Sequence, residues 1–354
     1  MPLIPDWAPN IHPMIVHFPI VLLIIAVLFD TAGLILKKFT WLQKSALLLY
    51  LLGTIAAGVA FLTGRAASDG LDIPANVITA VNDHADWAEV TLWFFIIYTI
   101  VRFSFAFGFK IIPFAKIIVI PVVLIGFTGI YFLYNTSDQG AKLVFGHGLG
   151  TGNIVKAENE TEKTTNQKEI SDSTFTTQED GSWKLIAVAG IDKVLSEKFK
   201  WFEGSADKLD PMYDKDNSAL MLHPTNEGFF VYDNKIKSVQ ISIKINLDDL
   251  NGQIELVHHF IDQNNYDFLR FGNGKIILAR KINEQENIFG EDRYAKKGWI
   301  EVKVVSDGTH FRGYVDNKII VHGHDDEPKP GSVGLRINGK GSVSIKEIMV
   351  ESLR

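Results

Sequence analysis

The segment NIHPMIVHFPIVLLIIAVLFD, Asn10–Asp30, decides the fold of the first half of the chain. Two histidines, His12 and His17, stand at the mouth of an apolar run that reaches Phe29. About 20 apolar residues in a helix span the ~30 Å hydrocarbon core of a bilayer. MPLIPDWAP precedes the segment, with Asp6 and no basic residue, and no small-residue cleavage motif follows it. The run therefore reads as a retained spanning helix and not as a removed secretion signal.

Working outward, apolar runs recur at about 14–36, 44–63, 87–108 and 112–134. Each is apolar all round, as a lipid-embedded helix is. Four spans with short connections predict an antiparallel four-helix transmembrane bundle over 1–152. Lys37, Lys38 and Lys44 mark the first connection, and Arg102, Lys110 and Lys116 the third. The second carries Asp69, Asp72, Asp83, Asp86 and Glu89 against Arg65 alone. Lysine and arginine gather on the cytoplasmic side, which places both ends of the bundle outside, in the periplasm of a bacterial inner membrane. His84, in VNDHADWAEV, opens the third span, and His147, in GAKLVFGHGLG, follows the fourth. His12, His17, His84 and His147 thus share the outer face.

Those four are the candidate ligands. The chain has no cysteine, which excludes disulfides, c-type haem attachment and iron–sulfur clusters. Histidine is the commonest side-chain ligand of haem iron, zinc and copper, and helical bundles hold such groups between facing helices. Four imidazoles supply one or two bis-histidine haem b groups, or else Zn or Cu. Histidines at a headgroup boundary also serve as plain caps, and His12 before Pro13 has that look. His12 and His17 are five residues apart, so on a regular helix they point about 140° from each other. His17 with His84 and His12 with His147 are the expected pairs. Arg65 is placed to meet a haem propionate. Gly53, Ala56, Ala57, Gly58 and Gly64 clear space for a flat cofactor or a neighbouring helix. Asp30, about 20 Å along its helix from His17, reads as a snorkelling or capping carboxylate.

From 153 to 181 the chain is polar, charged and poor in aliphatic residues, a flexible tether. Over 182–354 the pattern alternates with a period of two, and GNGK, SDGT and VDNK separate the runs as hairpin turns. Many short strands predict an all-β sandwich or jelly roll. Its aromatic residues Trp201, Tyr266, Tyr294 and Trp299 either stack on sugars or pack in the core. His258 and His259 are adjacent in a strand and are expected to face opposite sides. HGHDDE, His322–Glu327, either binds a divalent ion or is a solvated loop. The net charge of −6 argues against a nucleic-acid partner.

Two resemblances add to this. HPMIVHFPIVLL, HADWA and GAKLVFGHG resemble the bacterial membrane family known as domain of unknown function 2231, over roughly 8–150. That resemblance implies a four-helix membrane domain found near respiratory or cytochrome-like modules. NNYDFLRFGNGKIILAR, GWIEVKVVSDGTHFRGYVDNKIIV and GSVGLRI resemble a concanavalin A-like lectin/glucanase (laminin-G-like) domain over roughly 183–354. Domains of that kind bind sugars, hydrolyse them or mediate contacts. Hydrolysis needs two carboxylates about 5–10 Å apart. The comparable strand here, QIELVHHFID, carries only Glu255 with Asp262 at its end, so no catalytic residues are assigned. The chain reads as a membrane-anchored, b-type cytochrome-like electron-transfer subunit, serving respiratory-chain subunits or a periplasmic cytochrome, with the sandwich docking a partner. The alternative is a non-redox anchor whose sandwich binds glycan or protein and whose histidines are structural or bind Zn or Cu.

Overall fold

The computed structural model describes residues 10–70, 73–107, 115–150, 174–225, 227–295 and 297–353, without the side chains of 107 and 115–118. The chain forms two compact units, Met1–Asn159 and Glu160–Arg354.

The first unit is helical. A short α1, His12–Ile15, leads into α2, His17–Ile35. Then come α3, Thr40–Gly70, α4, Ala75–Phe107, and α5, Ala115–Ala141, whose end runs into a π-turn at Lys142–Gly146. Four of these stretches are long and apolar enough to cross a membrane. The break between α1 and α2 has a cause in the sequence. Proline has no N–H and is tolerated only in a first turn. Pro13 and Pro19 each take such a position, so the helix starts twice. Leu23, Ala26, Val27, Ala46, Tyr50 and Phe95 fill the interior. The surface is apolar too, with Phe18, Ile35, Leu62 and Ile100 exposed. Such a helical body, apolar inside and out, suits lipid.

The helices outrun the expected spans. α4 begins at Ala75, so His84 lies about two and a half turns inside it, and Asp83, Asp86 and Glu89 belong to a helix and not to a connection. Arg102 is likewise helical and buried, which removes it from the cytoplasmic charge set. Lys110 and the side chain of Lys116 lie outside the described residues.

The second unit is a β-sandwich. Its first strands are β1, Phe175–Thr177, β2, Trp183–Ile186, β3, Lys200–Glu203, β4, Met212–Asp214, and β5, Ala219–Leu222. Next are β6, Glu227–Ile236, β7, Val239–Asn246, β8, Leu250–Asp262, β9, Asn265–Gly272, and β10, Lys275–Ile282. The last are β11, Gln285–Arg293, β12, Trp299–Asp307, β13, His310–Val315, β14, Lys318–His324, β15, Gly331–Gly341, and β16, Val343–Ser352. One sheet has nine strands, ordered β1-β2-β16-β7-β12-β13-β14 with β5 on β16 and β4 on β5. The other has seven, ordered β11-β10-β9-β8-β15-β6-β3. All pairings are antiparallel. Ile243, Ile245, Leu256, Leu269, Leu335 and Phe311 lie in the core between the sheets.

The expected hairpin turns are present: Asn273–Gly274 and Asp316–Asn317 have positive φ at both positions, the geometry of a tight two-residue hairpin. Of the expected tether 153–181, the last residues from 174 belong to the sandwich. Residues 151–173 lie outside the described residues, while β1 pairs with β2 and Asn234 Nδ2 donates to the Gly181 carbonyl.

Candidate functional site

Two places gather chemistry, one in each unit. In the helical unit, His12 at the start of α1 meets His84 of α4, with ring centroids 6.3 Å apart and ring planes at 70°. Both rings are fixed. The Thr63 hydroxyl has carbonyl acceptors at Val59 and Ala60, both at 3.0 Å, which occupy its single proton. His12 Nδ1, 3.2 Å from that oxygen, is therefore the donor. His84 Nδ1 donates to the Thr136 carbonyl at 3.0 Å. Each ring is left with a bare Nε2, the orientation typical of a metal-ligating histidine. Glycines make room for both: a Cβ at Gly64 would lie 3.0 Å from His12 Cε1, and one at Gly140 3.1 Å from His84 Cε1.

This differs from the expected pairing. His17 is exposed just after the Val16 break, and His84 does not stand at the start of its helix, on which the pairing rested. His147, half-buried, caps the π-turn after α5. Among the described residues, neither shares a ring contact with the pair. Arg65 is exposed, its guanidinium 6.0 Å from the Phe61 ring. Of the small residues, Gly53 admits Leu23 and Gly64 admits His12, whereas Gly58 faces open space.

The donor set is compatible with a metal centre: two imidazoles from separate helices, each with its Nδ1 held by a protein partner. His12 and His84 would hold a haem iron or a zinc or copper ion, and a haem would supply one-electron transfer.

Asp30 is not a cap. It is wholly buried in α2 and accepts two hydrogen bonds from Arg102, from Nε at 2.7 Å and Nη2 at 2.6 Å. A buried carboxylate in a spanning helix persists only with such a partner.

In the sandwich, the outer face of the seven-stranded sheet carries a row of alternating charge. Glu203 of β3 and Glu227 of β6 flank Arg336 of β15, the Arg336–Glu203 contact being 3.6 Å. Arg336 Nη1 donates to the Tyr266 hydroxyl at 2.8 Å and lies 3.9 Å from Glu255 of β8. Glu255 accepts from Arg270 of β9 at 2.7 Å, and Arg270 reaches Glu286 of β11 at 2.5 and 3.0 Å. The cations lie over aromatic rings, Arg270 4.6 Å from the centroid of Phe268 and Arg336 5.6 Å from that of Phe229. Phe202, Phe260 and Tyr266 extend this aromatic layer.

Burial and its Glu227 neighbour raise Glu203 above the usual carboxylate range. Burial works the same way on Glu227, but the Glu203 hydrogen bond and the Arg336 guanidinium hold it below that range. Burial and the Glu255 charge push Tyr266 up to about 12. The row is thus a fixed grid of acceptors and donors, with Arg336 and Arg270 side chains 20% and 16% exposed.

Glu255 faces this grid, but it is held by Arg270 and its same-face neighbours Gln253 and Val257 are not acidic. Tyr266 belongs to the grid. Trp201 packs on Phe230 and donates to the Leu195 carbonyl. Trp299 lies under Lys346, and Tyr294 packs against the core. The period-two run Tyr266, Phe268, Arg270 signals an outward face. Arg336 and Glu227 join it only through the register of β15 on β6.

His258 and His259 do not face opposite sides. His259 has φ +50° at an irregularity in β8, which brings the two Nδ1 atoms to 2.8 Å. Both are buried beside Asp267, itself paired with Arg280.

Residues 8–153 match the family described as "Predicted membrane protein (DUF2231)". No curated protein matches the chain. The sandwich resembles solved lectin-like and glucanase structures. Carbohydrate-binding module CBM66 from Bacillus subtilis is 14% identical over 44% of this chain and 96% of its own, with a TM-score of 0.37. Bacillus licheniformis beta-glucanase is 9% identical over 49% and 100%, with a TM-score of 0.38. A Caenorhabditis elegans galectin is 12% identical over 36% and 93%, with a TM-score of 0.28.

Proposed function

We propose that this protein is a membrane-anchored binding protein that presents the outer face of its seven-stranded sheet to a carbohydrate. One observation carries the reading: the row Glu203/Glu227–Arg336–Glu255–Arg270–Glu286, linking strands across the sheet and partly open to solvent. Sugar hydroxyls both donate and accept, and charged partners make the stronger hydrogen bonds. A grid of alternating carboxylate and guanidinium satisfies both roles along an oligosaccharide. The guanidinium clamps on its carboxylates favour binding over hydrolysis. Full-length protein in detergent is screened on a glycan array, and hits are measured by calorimetry. Arg336→Ala and Arg270→Ala are expected to weaken binding at least tenfold, and Lys184→Ala, in a pair on the other sheet, to leave it unchanged. Failure to bind any glycan, or binding indifferent to both arginines, refutes the reading.

The fixed His12–His84 pair favours a second role for the helical unit, as a holder of a haem iron or a zinc or copper ion. With haem, the unit would pass electrons to respiratory or periplasmic partners. Protein purified from haem-replete cells is expected to show a reduced-minus-oxidised Soret change that His84→Ala abolishes and His17→Ala spares. Metal analysis of a colourless preparation distinguishes zinc or copper, and a colourless, metal-free preparation ends this role. In our reading the lysine-rich connection at Lys37 and Lys38 is cytoplasmic and the sandwich periplasmic. The cysteine-free chain suits a direct check: Ser68→Cys should react with an impermeant thiol reagent on intact spheroplasts, and Lys37→Cys should not.

A further inference from the structure

The motif HGHDDE reads first as a solvated loop, but the structure places His322 and His324 in β14, Lys318–His324. β14 is the edge strand of the nine-stranded sheet. Side chains two apart on a strand share a face, so His322 and His324 point the same way. His310 of β13 stands directly opposite His324 in the ladder. The three rings gather: centroids are 4.7 Å apart for His310–His324 and for His322–His324, and 6.4 Å for His310–His322. One ring nitrogen from each lies within 4.8 Å of the other two.

We propose that His310, His322 and His324 bind one divalent transition-metal ion of the zinc class. Three imidazoles from a cysteine-free chain suit zinc, copper or nickel, whereas calcium and magnesium take oxygen ligands. Tetrahedral bonds of about 2.0 Å put ligand nitrogens about 3.3 Å apart, so the rings close in slightly on the ion. The site allows this, since His310 is buried and anchored in the sheet while His322 is half-buried and His324 exposed. The exposed side leaves a fourth position for water.

The surroundings agree. Asp307 of β12, wholly buried, is the ladder partner of His310 on the side away from His324. A carboxylate behind a ligating histidine orients the ring and strengthens it as a ligand. Arg312, the ladder partner of His322, brings one positive charge to the same face, which Asp307 offsets. Asp325 is not a ligand, because Arg280 holds it at 3.2 Å. The site lies on the nine-stranded sheet and is independent of the glycan face.

The test uses full-length protein in detergent, made without a histidine tag, stripped with chelator and titrated with Zn²⁺ by calorimetry. The His12→Ala/His84→Ala background removes the histidine pair of the helical unit. One ion per chain is expected in that background, weakened at least tenfold by His322→Ala or His324→Ala. His324→Asp, which keeps a ligand atom, should retain more affinity than His324→Ala. Asp307→Asn should lower affinity about 10–100-fold. Metal-free melting of His324→Ala should equal that of the parent, which separates lost ligation from lost folding. No Zn²⁺ binding in that background, or binding unchanged by both alanine variants, overturns the proposal.

Discussion

Two buried carboxylate–guanidinium pairs, one in each unit, have contrasting settings. Asp30 and Arg102 are 72 residues apart, on α2 and α4 of the helical unit. Asp267 and Arg280 are 13 residues apart and face each other directly in the β9–β10 ladder. Both pairs are bidentate: 2.6 and 2.7 Å in the helices, 2.6 and 3.1 Å in the sheet. In the helical unit the partners sit on separate helices and no backbone ladder sets them opposite each other, so the pair adds a specific tie to the apolar packing. In the sheet the ladder has already aligned them, and the pair serves instead as the hub of a network. Arg280 also meets Asp325, and Asp267 lies 3.2 Å from His259. The lesson is that redundancy, more than burial, decides how much a single partner matters.

The largest effect should therefore come from Asp30. Removing one member of a buried pair strands the other charge and costs about 3–5 kcal/mol. Asp30→Ala is expected to lose that much, read as the thermal denaturation of full-length protein in mild detergent. Replacing both partners by apolar residues, Asp30→Leu with Arg102→Met, should restore stability to within about 1 kcal/mol. If the double variant is no better than the single, the pair has a role beyond its own charges. Asp267→Ala should cost less, about 3 kcal/mol, because Arg280 keeps Asp325. A loss equal to that of Asp30→Ala would break the contrast.

These pairs also mark where the sequence could be read and where it could not. Four spans were legible, because uniform apolarity over about 20 residues has few other meanings. Asp30 was misread as a helix-end residue, since hydropathy treats a carboxylate as a boundary and cannot see Arg102 across the helical unit. The start of α4 was placed too late for the same reason: Asn82, Asp83 and His84 end an apolar run without ending a helix. In the sandwich, period-two alternation gave strands and turns. It could not anticipate the left-handed residue at His259 that puts two neighbouring histidines side by side. Nor could it bring His310 to His324 or Arg336 to Glu227, since cross-strand neighbours depend on register. Residues on one helix face or one strand face were visible, and partners supplied by another element were not.

The sheet network carries a pH signature. Burial, reinforced by His259, pushes His258 down to about 3. The unfolded chain takes up that proton below about pH 6.5, while the folded chain does not. Stability follows the extra protons of the unfolded state, so it is full above about pH 6.5 and falls toward pH 3. The expected slope is about 1.4 kcal/mol per pH unit. For Asp267, burial alone would raise the carboxyl, but hydrogen bonds from His259 and Arg280 hold it at about 2. Its contribution is present above about pH 4 and disappears toward pH 2. Between pH 6.5 and 4 the His258 contribution is the difference in slope between the wild type and His258→Gln, since Glu203 and Glu227 titrate in both. Denaturant unfolding of the sandwich in full-length protein should show the slope there, and His258→Gln should reduce it. A slope equal in the two proteins would sink the assignment.

The smallest effect supplies the control for the whole comparison. Lys275 and Glu291 also pair across a ladder, at 2.9 Å, but with side chains 51% and 43% exposed. Their geometry is as short as that of the buried pairs, so distance alone would rank them together. Water already solvates both charges, and holding two long side chains in one geometry offsets most of the attraction. Lys275→Ala is expected to shift sandwich stability by less than about 1 kcal/mol, and high salt to reduce even that difference. A loss near that of Asp267→Ala would mean that strand pairing, and not removal from water, sets the strength of these bridges.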